Sequence, residues 1–341
     1  MRIGLVGYGT GGRHFHAPFI AAAEGVELVG VVARAPATIL AVQRDLPCVA
    51  IHSSLSAMIA AGGLDAVTIT TPPETRRDLV LEAIEAGLHV IADKPFAPNA
   101  EGGRELDAAA QAHGVLLGVF HNRRWDSDIL TLRGVIDDGL LGCLWRIHSR
   151  MEFDDAATLE AGPTGGLLRD LGSHLVDQML WLLGPATTVD AQLDMVDLVQ
   201  GTTDAGFTIT LRHASGAHSH LSASKLNHIT SRELRAYGEA GSYVSSSIDV
   251  QAQAIFAGRR PIDDPRGWGY EPEGNWGTLS TTTGRTQVPS KQGRYQDYYS
   301  TFARAVREGR PPPVSAAEAV NVLMILDAAR QSAENGHSVS L

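Results

Sequence analysis

The stretch RIGLVGYGTGG, residues 2–12, constrains the fold more than any other part of the chain. A short apolar strand runs directly into Gly7, Gly9 and Gly12, in G-x-G-x-x-G spacing, and helical sequence follows. In a parallel α/β sheet each glycine has its own task. Gly7 permits the tight turn, Gly9 lets backbone N–H groups approach a pyrophosphate, and Gly12 lets the helix pack close to the strand. The helix N-terminus adds partial positive charge for the phosphates. The spacing alone is weak in a glycine-rich chain. Its context, with a second strand ELVGVVA (27–33) ending about 20 residues on, makes it a dinucleotide-binding turn. Gly7, Tyr8, Gly9, Thr10, Gly11 and Gly12 are therefore candidate cofactor contacts.

The end of the second strand bears on the choice of cofactor. An acid there would accept hydrogen bonds from an adenosine 2′-hydroxyl and repel a 2′-phosphate. This chain has Ala33-Arg34-Ala35 instead, and a guanidinium suits a phosphate monoester in charge and bidentate geometry. NADP is favoured, with NAD the alternative, because Arg34 can equally stack on adenine. Further strands are expected at AVTIT (66–70), LHVIA (88–92) and VLLGVF (115–120), alternating with helices. One helix stops at Gly87; another starts at an Asn99 cap and ends near Gly114. Pro18 should bend the first helix or make it restart; His14 and His16 before it read as surface histidines, with the cofactor or substrate side as the alternative. The turns TTPPE (70–74) and DKPF (93–96) follow strands at their carboxyl ends, where such sheets bind ligands. Thr71, Pro72, Asp93 and Lys94 are thus on the ligand side.

After residue 121 the period changes. LWRIHSRMEF, TVDAQLDMV, GFTITLRH, AHSHLSASK and RELRAYG alternate polar and apolar residues, as strands of an antiparallel sheet with one buried face do. The stretch 258–295, rich in Gly, Pro and aromatic residues, reads as an ordered loop. Two closing helices follow, the second opening on a Ser315–Glu318 capping box. The expected fold class is α/β: a doubly wound parallel Rossmann sheet, then an α+β domain with a large, mostly antiparallel open sheet. The expected domains are 1–121 for the dinucleotide and 122–341 for substrate and oligomerisation. The outer face of the second sheet could meet another subunit.

Composition excludes several classes. The formal charge of −10 without a basic cluster argues against a nucleic-acid partner. No apolar run reaches the roughly 18–20 residues of a membrane span, and Met1-Arg2 leads straight into the first strand, so no signal peptide is expected. Cys48 and Cys143 match no metal or redox spacing, which makes a reducing cytoplasm the simplest setting and leaves no metal site to propose.

One helix stands apart. In LLRDLGSHLVDQMLWLLG (167–184), at about 100° per residue, His174, Asp177 and Trp181 fall within about 40° of Asp170. Leu168, Leu171, Leu175, Met179 and Leu182 take the opposite side. Either this stripe is a solvated face or it carries chemistry.

GLVGYGTGG…FHAPFI, TPPETRRDLVLEAIEAGLHVIADKPFA, NRRWDSD, GGLLRDLGSHLVDQ and EPEGNWGTL stand in the order seen in one enzyme family. Across essentially its whole length the chain resembles the glucose–fructose oxidoreductase / inositol dehydrogenase / MocA (Gfo/Idh/MocA) family. FHAPFI and NRRWDSD look most like its scyllo-inositol dehydrogenase-like branch. The resemblance implies a Rossmann domain followed by an α/β domain that often mediates dimers or tetramers. It also implies a catalytic lysine at Lys94, aspartate at Asp170 and histidine at His174. In such enzymes the histidine takes a hydroxyl proton, directly or through the lysine, while the carbon gives hydride to nicotinamide. Neutral imidazole suits the first task, a neighbouring carboxylate can orient it, and an ammonium can hold an alkoxide. Asp177 and Trp181 would only support the site. Two positions depart from the family pattern: Asp93 replaces the usual Glu before Lys-Pro, and Arg76 replaces a histidine usual after the strand 66–70.

HNRRWDSD (121–128) joins the domains, as a rigid hinge or as the lining of a substrate cleft. Asn122, Arg124, Trp125 and Asp128 offer the polar groups and flat apolar surface that suit a polyhydroxylated ring. The expected activity is NAD(P)-dependent oxidation or reduction at a secondary hydroxyl or ketone of a sugar, inositol or related polyol. A glycoside hydrolase or lyase using transient oxidation, and a non-catalytic dinucleotide-binding regulator, are the alternatives.

Overall fold

The computed structural model describes residues 1–162, 165–247 and 249–341. The chain divides into two compact units: residues 1–122, 252–268 and 294–320 form the first, and residues 123–251, 269–293 and 321–341 the second. Among the described residues, no helix is long and apolar enough to cross a membrane.

The first unit is built on six parallel strands: β1 (Arg2–Val6), β2 (Glu27–Val32), β3 (Ala50–His52), β4 (Ala66–Ile69), β5 (His89–Ala92) and β6 (Leu117–Val119). Their order, β3-β2-β1-β4-β5-β6, reverses direction between β1 and β4. The crevice beyond the strand ends at such a switch point is where ligands bind in doubly wound sheets. Ile3, Leu5, Val31, Val67, Ile69, Val90 and Ile91 are fully buried, as strands covered on both faces require. Helices α1 (Ala17–Ala21), α2 (Pro36–Asp45), α3 (Leu55–Ala61), α4 (Pro73–Glu85) and α5 (Ala100–Ala112) connect the strands. Asn99 caps α5 through Gly102 N, and Pro18 sits in the first turn of the restarted α1, as the sequence suggests. The returning segments complete this unit with aromatic residues. Tyr298 and Tyr299, from α9 (Gln296–Glu308), pack on Phe120, while Trp268 and Tyr295 pack on Phe19.

In the second unit a nine-stranded sheet runs β14-β13-β12-β11-β7-β10-β9-β8-β15. Its members are β7 (Leu144–Asp154), β8 (Ala186–Leu198), β9 (Gly201–His213), β10 (His218–Ser224), β11 (Leu226–Gly238), β12 (Gly241–Ser245), β13 (Gly277–Thr281), β14 (Gly284–Val288) and β15 (Val339–Ser340). All pairings are antiparallel except that of β7 with β10. Ile147, Met151, Phe207, Ile209, Leu211, Leu221 and Ala223 form its buried face. The region 258–295 corrects the expectation of a loop, because it contains the β13–β14 hairpin. GTLST and GRTQV are short and mostly polar, so their alternation does not stand out from loop composition. On the opposite face, the His148 and His220 rings lie 4.7 Å apart, and the Arg146 guanidinium sits over Tyr237.

The remaining helices are α6 (Ser127–Asp137), α7 (Ser173–Leu183), α8 (Val250–Phe256) and α10 (Ala316–Asn335). The capping box forms as expected: Glu318 N donates to Ser315 Oγ, and Ser315 N donates back to the Glu318 carboxylate.

Candidate active site

A cavity of about 540 Å³ opens at the carboxyl ends of β1, β2 and β4. That volume is in the range of ligand pockets, roughly 300–1,000 Å³. Gly7, Tyr8, Gly9, Arg34 and Thr71 border it, together with Thr38, Ser53, Ser54 and Thr75. A Cβ on Gly9 would meet nothing within 4 Å, so backbone faces open space where a pyrophosphate would approach. A Cβ on Gly12 would lie 2.2 Å from the Gly7 carbonyl oxygen, so only glycine fits there. The Thr70 hydroxyl donates to the Val6 and Gly7 carbonyls and ties the turn to β4. Gly11–His16 forms a π-helical turn ahead of α1. Thr10, Gly11, Gly12 and the exposed Pro72 do not border the cavity itself. The Tyr8 ring packs in the cluster of Leu5, Ala17, Val31, Ala33 and Val42, and its hydroxyl reaches Asp45 at 3.4 Å. Burial, reinforced by the Asp45 charge, pushes this phenol up to about 12. These residues fit a dinucleotide: open backbone at the turn, and a cation with hydroxyls along the cavity wall.

Beside the same sheet end, Asp93 organises the loop that carries the half-buried Lys94. Asp93 Oδ1 accepts the Lys94 N–H at 2.8 Å, and Oδ2 lies 3.4 Å from His16 Nε2. His16 Nδ1 is 2.5 Å from the Tyr299 hydroxyl. His16 is therefore not a surface residue: it is fully buried, because the π-turn carries it inward beneath Phe120. His14 is half-buried and lies against Phe256. Burial alone would raise the Asp93 pKa. The charge and hydrogen bond of His16, helped by Arg76 and Lys94, outweigh it and hold the carboxyl at about 2. Arg76 is buried beneath both loops and donates to the carbonyls of Thr71, Asp93 and Pro95.

In the second unit, Gly166 opens the helix with φ +94. A Cβ there would lie 2.1 Å from Asp204 Oδ1. The buried Asp204 accepts the Leu168 N–H and pairs with Arg330 at 3.0 Å, which satisfies an orphan helix donor. Leu168–Gly172 is a π-turn that passes into α7. The uniform 100° wheel of the sequence reading therefore fails here, since a π-turn advances each residue by a smaller angle. Asp170 stays half-exposed, but His174, Asp177 and Gln178 are buried along with the leucines. A solvated face is excluded.

The structure splits the stripe by partner. Asp170 Oδ2 accepts from Lys225 Nζ at 3.1 Å. Asp177 takes a two-pronged bond from Arg124, at 2.9 and 2.6 Å. Trp181 lies under the Arg133 guanidinium, 5.0 Å from ring centroid to carbon. Arg124, read as a cleft residue, is thus buried and engaged with Asp177, and Asp128 is likewise buried against Arg232 at 3.0 Å. Asn122 is buried, while Trp125 is half-buried and its carbonyl accepts from Gln251. Among the described residues, no cluster of His, Cys, Asp or Glu could hold a metal.

Residues 1–121 match the model described as an oxidoreductase family with an NAD-binding Rossmann fold, and residues 129–244 match its GFO/IDH/MocA C-terminal domain. The chain belongs to the Gfo/Idh/MocA oxidoreductase family. It is 31% identical to the scyllo-inositol 2-dehydrogenase (NADP(+)) IolW of Bacillus subtilis, covering 100% of this chain and 96% of that protein. It is 25% identical to an inositol 2-dehydrogenase of Rhizobium meliloti, covering 100% and 99%. The solved structure of the oxidoreductase YvaA from Bacillus subtilis superposes with a TM-score of 0.91, at 31% identity over 100% of this chain and 99% of that one.

As a Gfo/Idh/MocA protein, this chain departs from the family pattern at two positions, and the structure gives both a physical account. The shorter Asp93 still engages the Lys94 backbone, and His16 fills the space on its far side. Arg76 clamps the two ligand-side loops from within, so the substitution changes what holds them together. His16, Tyr299, Asp204 and Lys225 were missed by sequence reasoning. Each acts through a partner distant in sequence, and no local spacing marks it.

The pKa of Asp93 sets an acid dependence. A carboxyl held below its ordinary value stabilises the fold above about pH 4 and loses that contribution as pH falls toward 2. The shift from 3.8 to about 2 corresponds to about 2 kcal/mol. In urea titrations, the D93N variant should be less stable than wild type at pH 6, with the gap closing between pH 4 and 2. A gap that stays constant with pH would contradict the assignment.

Proposed function

We propose that this protein is an NAD(P)-dependent dehydrogenase acting on a secondary hydroxyl of an inositol, sugar or related polyol, with Lys94, Asp170 and His174 as its reactive groups. The observation that carries this reading is the placement of His174. It is a buried imidazole one helical turn from a half-exposed carboxylate, on a helix whose start is fixed by Gly166 and Asp204. The bound nicotinamide would supply the acceptor for the hydride. His174 takes the proton of the substrate hydroxyl as general base. Asp170 orients the imidazole and stabilises its charged form, and Lys94 stabilises the developing alkoxide. The names of the two inositol dehydrogenases that this chain resembles support the substrate class.

Gly7, Tyr8, Gly9, Thr10, Gly11, Gly12, Thr71, Pro72 and Asp93 form or support the dinucleotide site in this reading. Arg34 selects NADP: it is exposed at the cavity edge beside Thr38 and Ser53, where a 2′-phosphate would find charge and hydroxyl donors. IolW carries NADP(+) in its name. Segment 1–121 serves the dinucleotide, and 122–341 serves substrate and subunit contacts. Asn122 and Trp125 contribute to the substrate side, while Arg124 and Asp128 position it through their buried ion pairs. The protein works in the cytoplasm, in keeping with two exposed free cysteines. It assembles as a homodimer or homotetramer through the open face of the second sheet.

Two measurements check these roles. H174A should lower kcat on an oxidised polyol by at least about 100-fold while the NADP dissociation constant changes less than threefold; equal loss of both would make His174 structural. R34A should weaken NADP by about tenfold or more and leave NAD nearly unchanged, as expected for a lost phosphate contact. Equal affinities in R34A and wild type would remove Arg34 from cofactor selection.

A further inference from the structure

Arg76 lies near the start of α4 and is only 3% exposed, yet its hydrogen bonds all go to main-chain carbonyls. Nη1 donates to the Asp93 carbonyl at 2.7 Å and to that of Pro95, and Nη2 donates to the carbonyl of Thr71. Asp93 and Pro95 stand on either side of Lys94 in the chain, and Thr71 borders the cavity at the glycine turn. One guanidinium therefore grips the backbone before and after Lys94 and ties it to a loop on the dinucleotide side. The Asp93 carboxylate closes the same assembly from above. It accepts the Lys94 N–H, and a Cβ on Gly11 of the turn would lie 3.2 Å from its Oδ2.

None of the three groups that Arg76 bonds is charged. Burial pushes its pKa down, and the charges of Asp93 and Glu74 oppose that only in part. A fold that needed merely to fill this space would do so at lower cost with an apolar side chain of similar volume. What arginine alone supplies is a rigid, planar fork of donors that meets several carbonyls at fixed spacing.

We infer that Arg76 is a positioning residue for the reaction: it sets the place of Lys94 relative to the dinucleotide, through the shape of its fork rather than through its charge alone. This rests on the dehydrogenase reading above, in which Lys94 stabilises the developing alkoxide, and it names the group that places that ammonium. A lysine at position 76 keeps the charge, but its donors sit on one atom at the end of a shorter chain and cannot reproduce the fork. The two loops then settle with an offset, and an offset of about 1 Å in a reacting group can cost about 100-fold in rate.

The test is a double-mutant cycle on the full chain. Wild type, R76K, K94M and the variant carrying both substitutions are assayed for NADP reduction with myo-inositol and scyllo-inositol. NADPH affinity is read by fluorescence titration, alongside the melting temperature. R76K should lower kcat about tenfold or more, while KM and the NADPH dissociation constant change less than about threefold. In the K94M background the same substitution should change kcat less than about twofold, because the group it misplaces is already gone. Equal loss of kcat in both backgrounds overturns the inference and marks Arg76 as general support for the fold. An unchanged kcat in R76K also overturns it, since the charge would then suffice. R76Q, which keeps amide donors without the charge, carries the same comparison if R76K does not fold. If K94M turns over as fast as wild type, the inference falls with the role of Lys94 and the dehydrogenase reading stands. If wild type reduces NADP with neither polyol, the dehydrogenase reading falls and takes the inference with it.

Discussion

A carboxylate removed from water must be met by hydrogen bonds or an opposite charge, or it costs several kcal/mol. This chain buries such groups behind the positions that carry its proposed chemistry. Asp93 lies under Lys94, engaged by the backbone and by His16. Asp204 sits at the start of the helix bearing Asp170 and His174, held by Leu168 N and Arg330. Asp177 and Asp128 are locked to Arg124 and Arg232. Breaking any of these pairs would leave an uncompensated charge, so each loop or helix end has little freedom to move. The rigidity that an active site needs comes here from buried ion pairs as well as from apolar packing.

Such pairing also explains which parts of the molecule were legible in the sequence. Strands, caps and the glycine turn are local devices with fixed spacings. RIGLV followed by Gly7, Gly9 and Gly12, the Asn99 cap and the Ser315–Glu318 box could all be read without a structure. The identities of Lys94, Asp170 and His174 came from the order of motifs along the chain. Their surroundings did not. His16 reaches Tyr299 and Asp93, and Asp170 reaches Lys225, across separations that no periodicity encodes.

The helical wheel failed for a related reason. It assumes 3.6 residues per turn throughout, and the π-turn at Leu168–Gly172 breaks that assumption where the polar residues begin. The stripe, for which the sequence left a solvated face and a chemical role both open, is a set of separately partnered groups. The same effect at Gly11–His16 turned a presumed surface histidine into a core residue. π-Turns recur at functional sites because they displace side chains from a regular helix, and both π-turns described here adjoin residues with a proposed role. In the second sheet, short polar edge strands escaped the alternation test for the opposite reason: with little apolar content, they had little pattern to show.

The central claim is that hydride leaves a polyol carbinol carbon while this chain's own side chains manage the proton. Incubating the protein with NADP and myo-inositol deuterated at every ring carbon tests it most directly. Deuterium should appear at C4 of the reduced nicotinamide, on one face only, with one equivalent of ketone formed. Reduced cofactor lacking the label, or labelled polyol recovered unchanged, would contradict the account.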